Sequence, residues 1–186
     1  MKSLFKFLAG CCLFSLIFAT SISSPSPKHL ILAAITTDIN DHAYAECWEL
    51  DASFQTYPTV GESVILGDTG NLTYVALPPR SKEGIHRPPS PMYFILLTGQ
   101  AHVTFPYNDQ EVWIEQGVND ILIANDIKGI GHFTAYPGNE ETRALQVPFK
   151  GGVVPLHKVV ENRACSLTKN LGRSALGVNG DVSLEL

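Results

Sequence analysis

EGIHRPPSPMYFILLTGQAHV, residues 83 to 103, sets the fold. One histidine, His86, precedes a turn stiffened by Pro88, Pro89 and Pro91, whose fixed φ holds the direction of the chain. The apolar run Met92 to Leu97 follows. Thr98-Gly99-Gln100 then supplies a glycine where a positive φ reverses the chain cheaply, and Ala101 to Phe105 continues beyond it. This is strand, tight turn, strand. Alternation puts Met92, Phe94 and Leu96 on one face and Tyr93, Ile95 and Leu97 on the other. After the turn, His102 and Thr104 share a face opposite Ala101, Val103 and Phe105. The apolar set is the better core face, which leaves His102 facing solvent.

Between Cys47 and Pro148 the same grammar repeats, with strands about 8 to 12 residues apart, as sandwiches and jelly rolls require. Expected strands are Trp48 to Phe54, Glu62 to Leu66, Leu72 to Leu77, Met92 to Leu97, Ala101 to Phe105, Glu111 to Glu115, Asp120 to Ile123, Gly131 to Ala135 and Thr142 to Pro148. The turns between them include GDTGN, TGQ, QGVND and YPGNEE, and Gly99, Gly117 and Gly138 are read as positive-φ positions. An all-β domain follows. The one segment with helical character is Leu30 to Ala45, and its TTDIND centre weakens it.

The ends of the chain carry different signals. Lys2 and Lys6 flank or interrupt an apolar run, Leu4 to Ala19, that closes on Ala19, Thr20 and Ser21, the pattern of a secretory leader over residues 1–21. After Lys6 its apolar part is about a dozen residues, short of the roughly 20 that cross a bilayer. Residues 22–46 are expected to form a short irregular extension, 47–165 the domain, and 166–186 a flexible tail. Removing the leader leaves eleven basic residues against eighteen acidic ones, a net charge of −7 with no basic run. That speaks against nucleic acid and anionic membrane surfaces as partners. Two cysteines remain, Cys47 and Cys165, and in an oxidising compartment they have one intramolecular pairing. Asn71-Leu72-Thr73 is an N-glycosylation acceptor. A secreted, extracellular protein is the expectation.

The chemistry-bearing residues are few. GxSxG, HExxH, P-loop and GxGxxG motifs are absent from the sequence. His86 and His132 are the candidate acid/base or ligand residues, since histidine serves both roles near neutral pH. His102 is the candidate third ligand, and Asp126, six residues before His132 in NDIKGIGH, is a carboxylate placed to orient that histidine or complete a site. Met92, Phe94, Leu96 and Phe133 are read as pocket lining, with Tyr74, Tyr136 and Gln146 as further pocket surface, whereas Trp48 and Trp113 read as ordinary core. His29, His42 and His157 lie outside these stretches and receive no role.

Over Leu77 to Phe149 the chain resembles the cupins. Their common first motif has a Gly, His-x-His, a Glu, and a closing Gly, with both histidines and the glutamate binding metal. Here Gly84, His86 and Gly99 hold the matching places, while Pro88 and Met92 stand at the second histidine and the glutamate. The second motif is similar to Gly117 through GIGHFT, with His132 at its histidine place. Small single-domain cupins that read HPAPRRQ, a strand ending in SGE, and GKGHRT are similar to HRPPSPM, TGQ and GIGHFT. The resemblance implies a single jelly-roll β-barrel, a small molecule bound inside it, and barrels paired as a homodimer through an edge near Trp48 to Phe54.

Proline offers no donor and a thioether is a weak ligand for most transition metals. Three functions are therefore expected, in this order. The first is a secreted barrel binding or converting a small apolar or aromatic molecule, with His86 and His132 as its polar groups and no cofactor required. The second is a metal-dependent oxidoreductase or dioxygenase in which His86, His132 and His102 or Asp126 hold iron, copper or manganese. The third is a non-catalytic extracellular or cell-wall protein.

Overall fold

The computed structural model describes residues 29–166, so the expected leader, residues 22–28 of the expected extension, and all of the expected tail except Ser166 lie outside the described residues. Thirteen strands follow in chain order: β1 (His29–Thr37), β2 (Ala43–Ser53), β3 (Gln55–Thr56), β4 (Glu62–Ser63), β5 (Thr73–Leu77), β6 (Ser81–His86), β7 (Met92–Thr98), β8 (Ala101–Thr104), β9 (Glu111–Ile114), β10 (Ile121–Ala124), β11 (His132–Tyr136), β12 (Thr142–Pro148) and β13 (His157–Glu161). Among the described residues there is no α-helix; a single 3-10 turn covers Lys150–Gly152. The protein is all-β.

The strands form a seven-stranded sheet in the order β13-β2-β1-β10-β7-β12-β5, a four-stranded sheet in the order β6-β11-β8-β9, and the small β3-β4 ribbon. No ladder joins the two main sheets, so the expected single barrel is not closed by hydrogen bonds among the described residues. Their facing sides share one core. Ala33, Ile35, Ala45, Met92, Leu96 and Leu122 from the large sheet pack with Ala101, Val103, Val112 and Ile114 from the small one. The alternation read from Met92 to Leu97 holds, because Tyr93 lies on the opposite face of β7 with Leu32, Trp48, Leu50, Ile123 and Phe149. Burying side chains of this size stabilises by roughly 1.5 to 3 kcal/mol each.

Residues 29–46, expected as an irregular extension with some helical character, are instead strands inside the large sheet. β1 pairs in parallel with β10 on one side and antiparallel with β2 on the other. Both of its faces are covered: Ala33 and Ile35 belong to the core between the sheets, Leu32 and Ala34 to the cluster behind. A strand buried on both faces carries a continuous apolar run without alternation, which is how LILAAI reads. The TTDIND segment makes the hairpin turn. Asp38 Oδ1 accepts from the backbone N–H groups of Asn40 and His42, and Asp41 takes a φ of 61°.

Trp48 is buried as expected. The expected edge at Trp48 to Phe54 is not free, because β13 pairs with β2 through Cys47 to Leu50 and Asp51 N–H donates to Leu156 O. Cys47 and Cys165 are bonded, with Cα atoms 4.6 Å apart, and tie the end of the described chain to the main core. Gly99 and Gly117 have the expected positive φ, whereas Gly138 does not.

Candidate functional site

Strand β6 brings the site together. It lies at the edge of the small sheet and pairs with β11 in a register that sets His86 opposite His132. The approach is close because residue 131 is glycine: with φ at 86°, a Cβ there would stand 1.8 Å from the carbonyl oxygen of His86. The two imidazoles converge, their ring centroids 4.6 Å apart and tilted by 59°.

Each histidine has its own carboxylate. Asn125 N–H donates to Ile35 O, continuing β10 past its end, and the next residue, Asp126, turns inward and is fully buried. Its Oδ2 lies 2.6 Å from Nδ1 of His132, which is itself only 6 % exposed. Where the carboxylate accepts, Nδ1 carries the hydrogen of this contact and Nε2 is the ring nitrogen left for other partners. Asp126 Oδ1 is buried with no hydrogen-bond partner among the described residues. His86 is held differently: Nδ1 faces the Gly84 carbonyl at 2.9 Å and Nε2 faces Glu83 Oε2 at 3.1 Å. A carbonyl oxygen can only accept, so Nδ1 carries the hydrogen of the contact with Gly84.

Glu83 also accepts a 2.5 Å hydrogen bond from the Tyr136 hydroxyl. Burial pushes the Tyr136 phenol well above its ordinary value, and the hydrogen bond and charge of Glu83 push it the same way. Tyr136 therefore stays a proton donor across the physiological range.

These groups line a cavity of about 100 Å3 between the sheets. Its apolar wall comes from Ile35, Met92, Phe94, Val103, Ile114 and Leu122; its polar groups are Glu83, His86, Arg87, His132, Thr134, Tyr136 and Gln146. The exposed positions Arg87 and Pro89 mark the opening.

Several sequence-derived positions lie elsewhere. Leu96 is in the core but does not line the cavity, and Phe133 points outward, 39 % exposed, because alternation along β11 turns His132, Thr134 and Tyr136 inward. Tyr74 is exposed on β5. Trp113, expected in the core, lies on the outer face of the small sheet and stacks on His102 at 4.0 Å between ring centroids. His102 thus faces away from the cavity as alternation suggested, with Nε2 2.7 Å from Glu111 Oε2. It cannot serve as a third ligand there.

No protein-family model, curated protein or solved structure matches the chain. Function must be read from the cavity itself. Among the described residues no group of three or more His, Cys, Asp or Glu side chains is arranged to hold a metal ion. The donors fit such an ion poorly: both His86 nitrogens face acceptors, and His132 offers only Nε2, where a transition-metal site needs three or four ligand atoms. Glu83, Thr134 and the Tyr136 contact were not legible as a site beforehand, although β11 alternation from His132 would have selected Thr134 and Tyr136 over Phe133.

Proposed function

We propose that this is a secreted protein with a cupin-like jelly-roll arrangement, whose cavity binds a small organic molecule by an apolar end and moves a proton on it with His132 and His86. The observation that carries the reading is the pair of converging imidazoles, one held by the Asp126 carboxylate and the other by the Gly84 carbonyl, at one partly apolar cavity. At about 100 Å3 the cavity is smaller than the roughly 150 Å3 apolar void known to take up benzene, so nothing larger than a single ring or a short chain suits it. The Cys47–Cys165 bond supports an oxidising compartment. Exposed Asn71 is open to a glycan. The pairing of β6 with β11 supports the cupin resemblance by bringing its two histidine places together.

The chemistry is general acid/base catalysis on a carbonyl compound. His132 Nε2 takes a proton from the carbon beside the carbonyl, while Asp126 holds the ring in the right tautomer and stabilises the imidazolium that forms. The carbonyl oxygen receives a proton from His86, which enters the step as an imidazolium beside Glu83, while Tyr136 keeps its proton on Glu83. The product of this half is an enol. In the second half the enol oxygen returns its proton to His86 as the His132 imidazolium protonates carbon; protonation at the same carbon regenerates the substrate, and protonation at a conjugated position isomerises it.

Acetophenone is a suitable probe, because its ring matches the cavity and its methyl protons are adjacent to a carbonyl. In D2O the protein should bind it and accelerate deuteration of that methyl group, followed by NMR. His132→Ala should lower the acceleration about 100-fold to 10,000-fold, with elemental analysis of the same samples to exclude a metal-borne rate. No binding to the folded wild type, or a rate indifferent to His132, would overturn the proposal.

A further inference from the structure

We infer that the cavity holds a second polar group of its ligand at Thr134 and Gln146, so that the substrate class is a hydroxylated carbonyl compound with the hydroxyl across the ring from the carbonyl. This rests on the proposed ligand-binding role of the cavity. Thr134 follows His132 by two residues on β11 and faces the same way, into the space between the sheets. It is only 6 % exposed, and its hydroxyl makes no hydrogen bond among the described residues. Glu83, the residue paired with it on β6, turns its two oxygens to the Tyr136 hydroxyl and to His86 Nε2 instead. Gln146 comes from the opposite sheet. It pairs with Phe94 between β12 and β7 and lines the same cavity, and its side-chain amide likewise has no hydrogen-bond partner among the described residues.

Buried polar groups are almost always paired, and two exceptions on facing walls of one cavity call for a partner inside it. A threonine hydroxyl and a glutamine amide each donate and accept, and neither is charged. A ligand hydroxyl matches both roles. A carboxylate would meet the charge of Glu83, and an ammonium group has no lone pair with which to accept from the two side chains. Residues two apart on one face of a strand are spaced about 6.8 Å, so with the carbonyl at His132 a group held by Thr134 stands at the far side of a ring, in the para position. Thr134 and Gln146 are thus specificity-determining residues, and proton transfer is left to His132 and His86.

Calorimetric titration of the full chain with acetophenone, para-hydroxyacetophenone and para-methylacetophenone tests this, in buffer acidic enough to keep the phenol un-ionised. Hydroxyl and methyl are of similar size, so the ratio of the last two affinities reads hydrogen bonding rather than room. The wild type should favour the hydroxyl compound by about 5-fold to 140-fold, the product of two neutral hydrogen bonds at about 2-fold to 12-fold each. Thr134→Val and Gln146→Met should each lower that ratio by about 2-fold to 12-fold, whereas Thr134→Ser, which keeps the hydroxyl, should keep the preference. Taking the ratio within one protein cancels a general loosening of the fold, and melting curves identify the folded variants. Acetophenone binding with no preference for hydroxyl over methyl, the result expected if a tightly held water already satisfies both side chains, would overturn the inference and leave the cavity reading standing. Acetophenone binding with neither substituted compound accepted would do the same. A preference untouched by both Thr134→Val and Gln146→Met would also overturn it, since the hydroxyl would then be held elsewhere. No acetophenone binding overturns both readings.

Discussion

Gly131→Ala puts a methyl group where the structure has room for none. The ideal Cβ lies 1.8 Å from the His86 carbonyl oxygen, 2.5 Å from its carbon and 2.8 Å from Arg87 Cγ, and the first two are backbone atoms that no rotamer change can move. Residue 131 also sits at a φ of 86°, which costs an L-residue about 1 to 2 kcal/mol. Forcing the strands apart adds about 1 to 3 kcal/mol, the usual range for overpacking. The sum is about 2 to 5 kcal/mol, or roughly 8 to 20 °C in melting temperature for a domain of this size. Two controls separate the contributions. Gly117 has a similar φ of 79° but nothing within 4 Å, so Gly117→Ala should pay only the backbone strain, about 4 to 8 °C. Gly84, next to the site on β6, has neither problem, and Gly84→Ala should be neutral or slightly stabilising. Melting curves by circular dichroism of the three variants suffice. If Gly131→Ala melted with Gly117→Ala, the close approach of β11 to β6, and with it the placement of His132 against His86, would be wrong.

Removing the Cys47–Cys165 bond by a double alanine substitution should cost about 4 to 5 kcal/mol on the chain-entropy estimate for its 118-residue separation; urea titration measures it, and a loss below about 1 kcal/mol would contradict the bond. Burial pushes the Tyr93 phenol up to about 12 from 10, so between pH 10 and 12 the unfolded chain ionises this group while the folded one does not. Stability should therefore be intact below pH 10 and fall as pH rises toward 12, by at most about 1.4 kcal/mol per pH unit from this residue. Tyr44, raised to about 12 by burial and by Glu46, adds to the same fall. Tyr93→Phe should show a shallower decline in urea midpoint, and an unchanged decline would refute the assignment.

What could be read beforehand followed from local periodicity, and what could not depended on partners distant in sequence. Strands β7, β8, β9 and β12 alternate or carry short apolar runs between turn residues, so their positions emerged within a residue or so. β1 was obscured by being covered on both faces, which erases alternation. β6 is not legible in the sequence because SKEGIH, an edge strand with charged residues, has no apolar period, yet it carries Glu83 and His86. The Glu83–Tyr136 hydrogen bond spans 53 residues and no spacing rule foretells it. Asp126 is legible as a candidate to orient His132, since it precedes it on one loop, and the two are in contact. Phe133 and Trp113 lie away from their expected places because parity along the strand, not aromatic character, decides the face: each neighbours inward-facing residues, His132 and Thr134 for one, Val112 and Ile114 for the other.

Intermolecular NOEs to bound acetophenone test the use of the cavity most directly. The ring protons should show NOEs to the methyl groups of Ile35, Val103, Ile114 and Leu122, with the largest ring shifts at His132 and His86. NOEs confined to surface methyl groups such as those of Leu72 or Val153, with both histidines unmoved, would contradict a ligand held between the sheets.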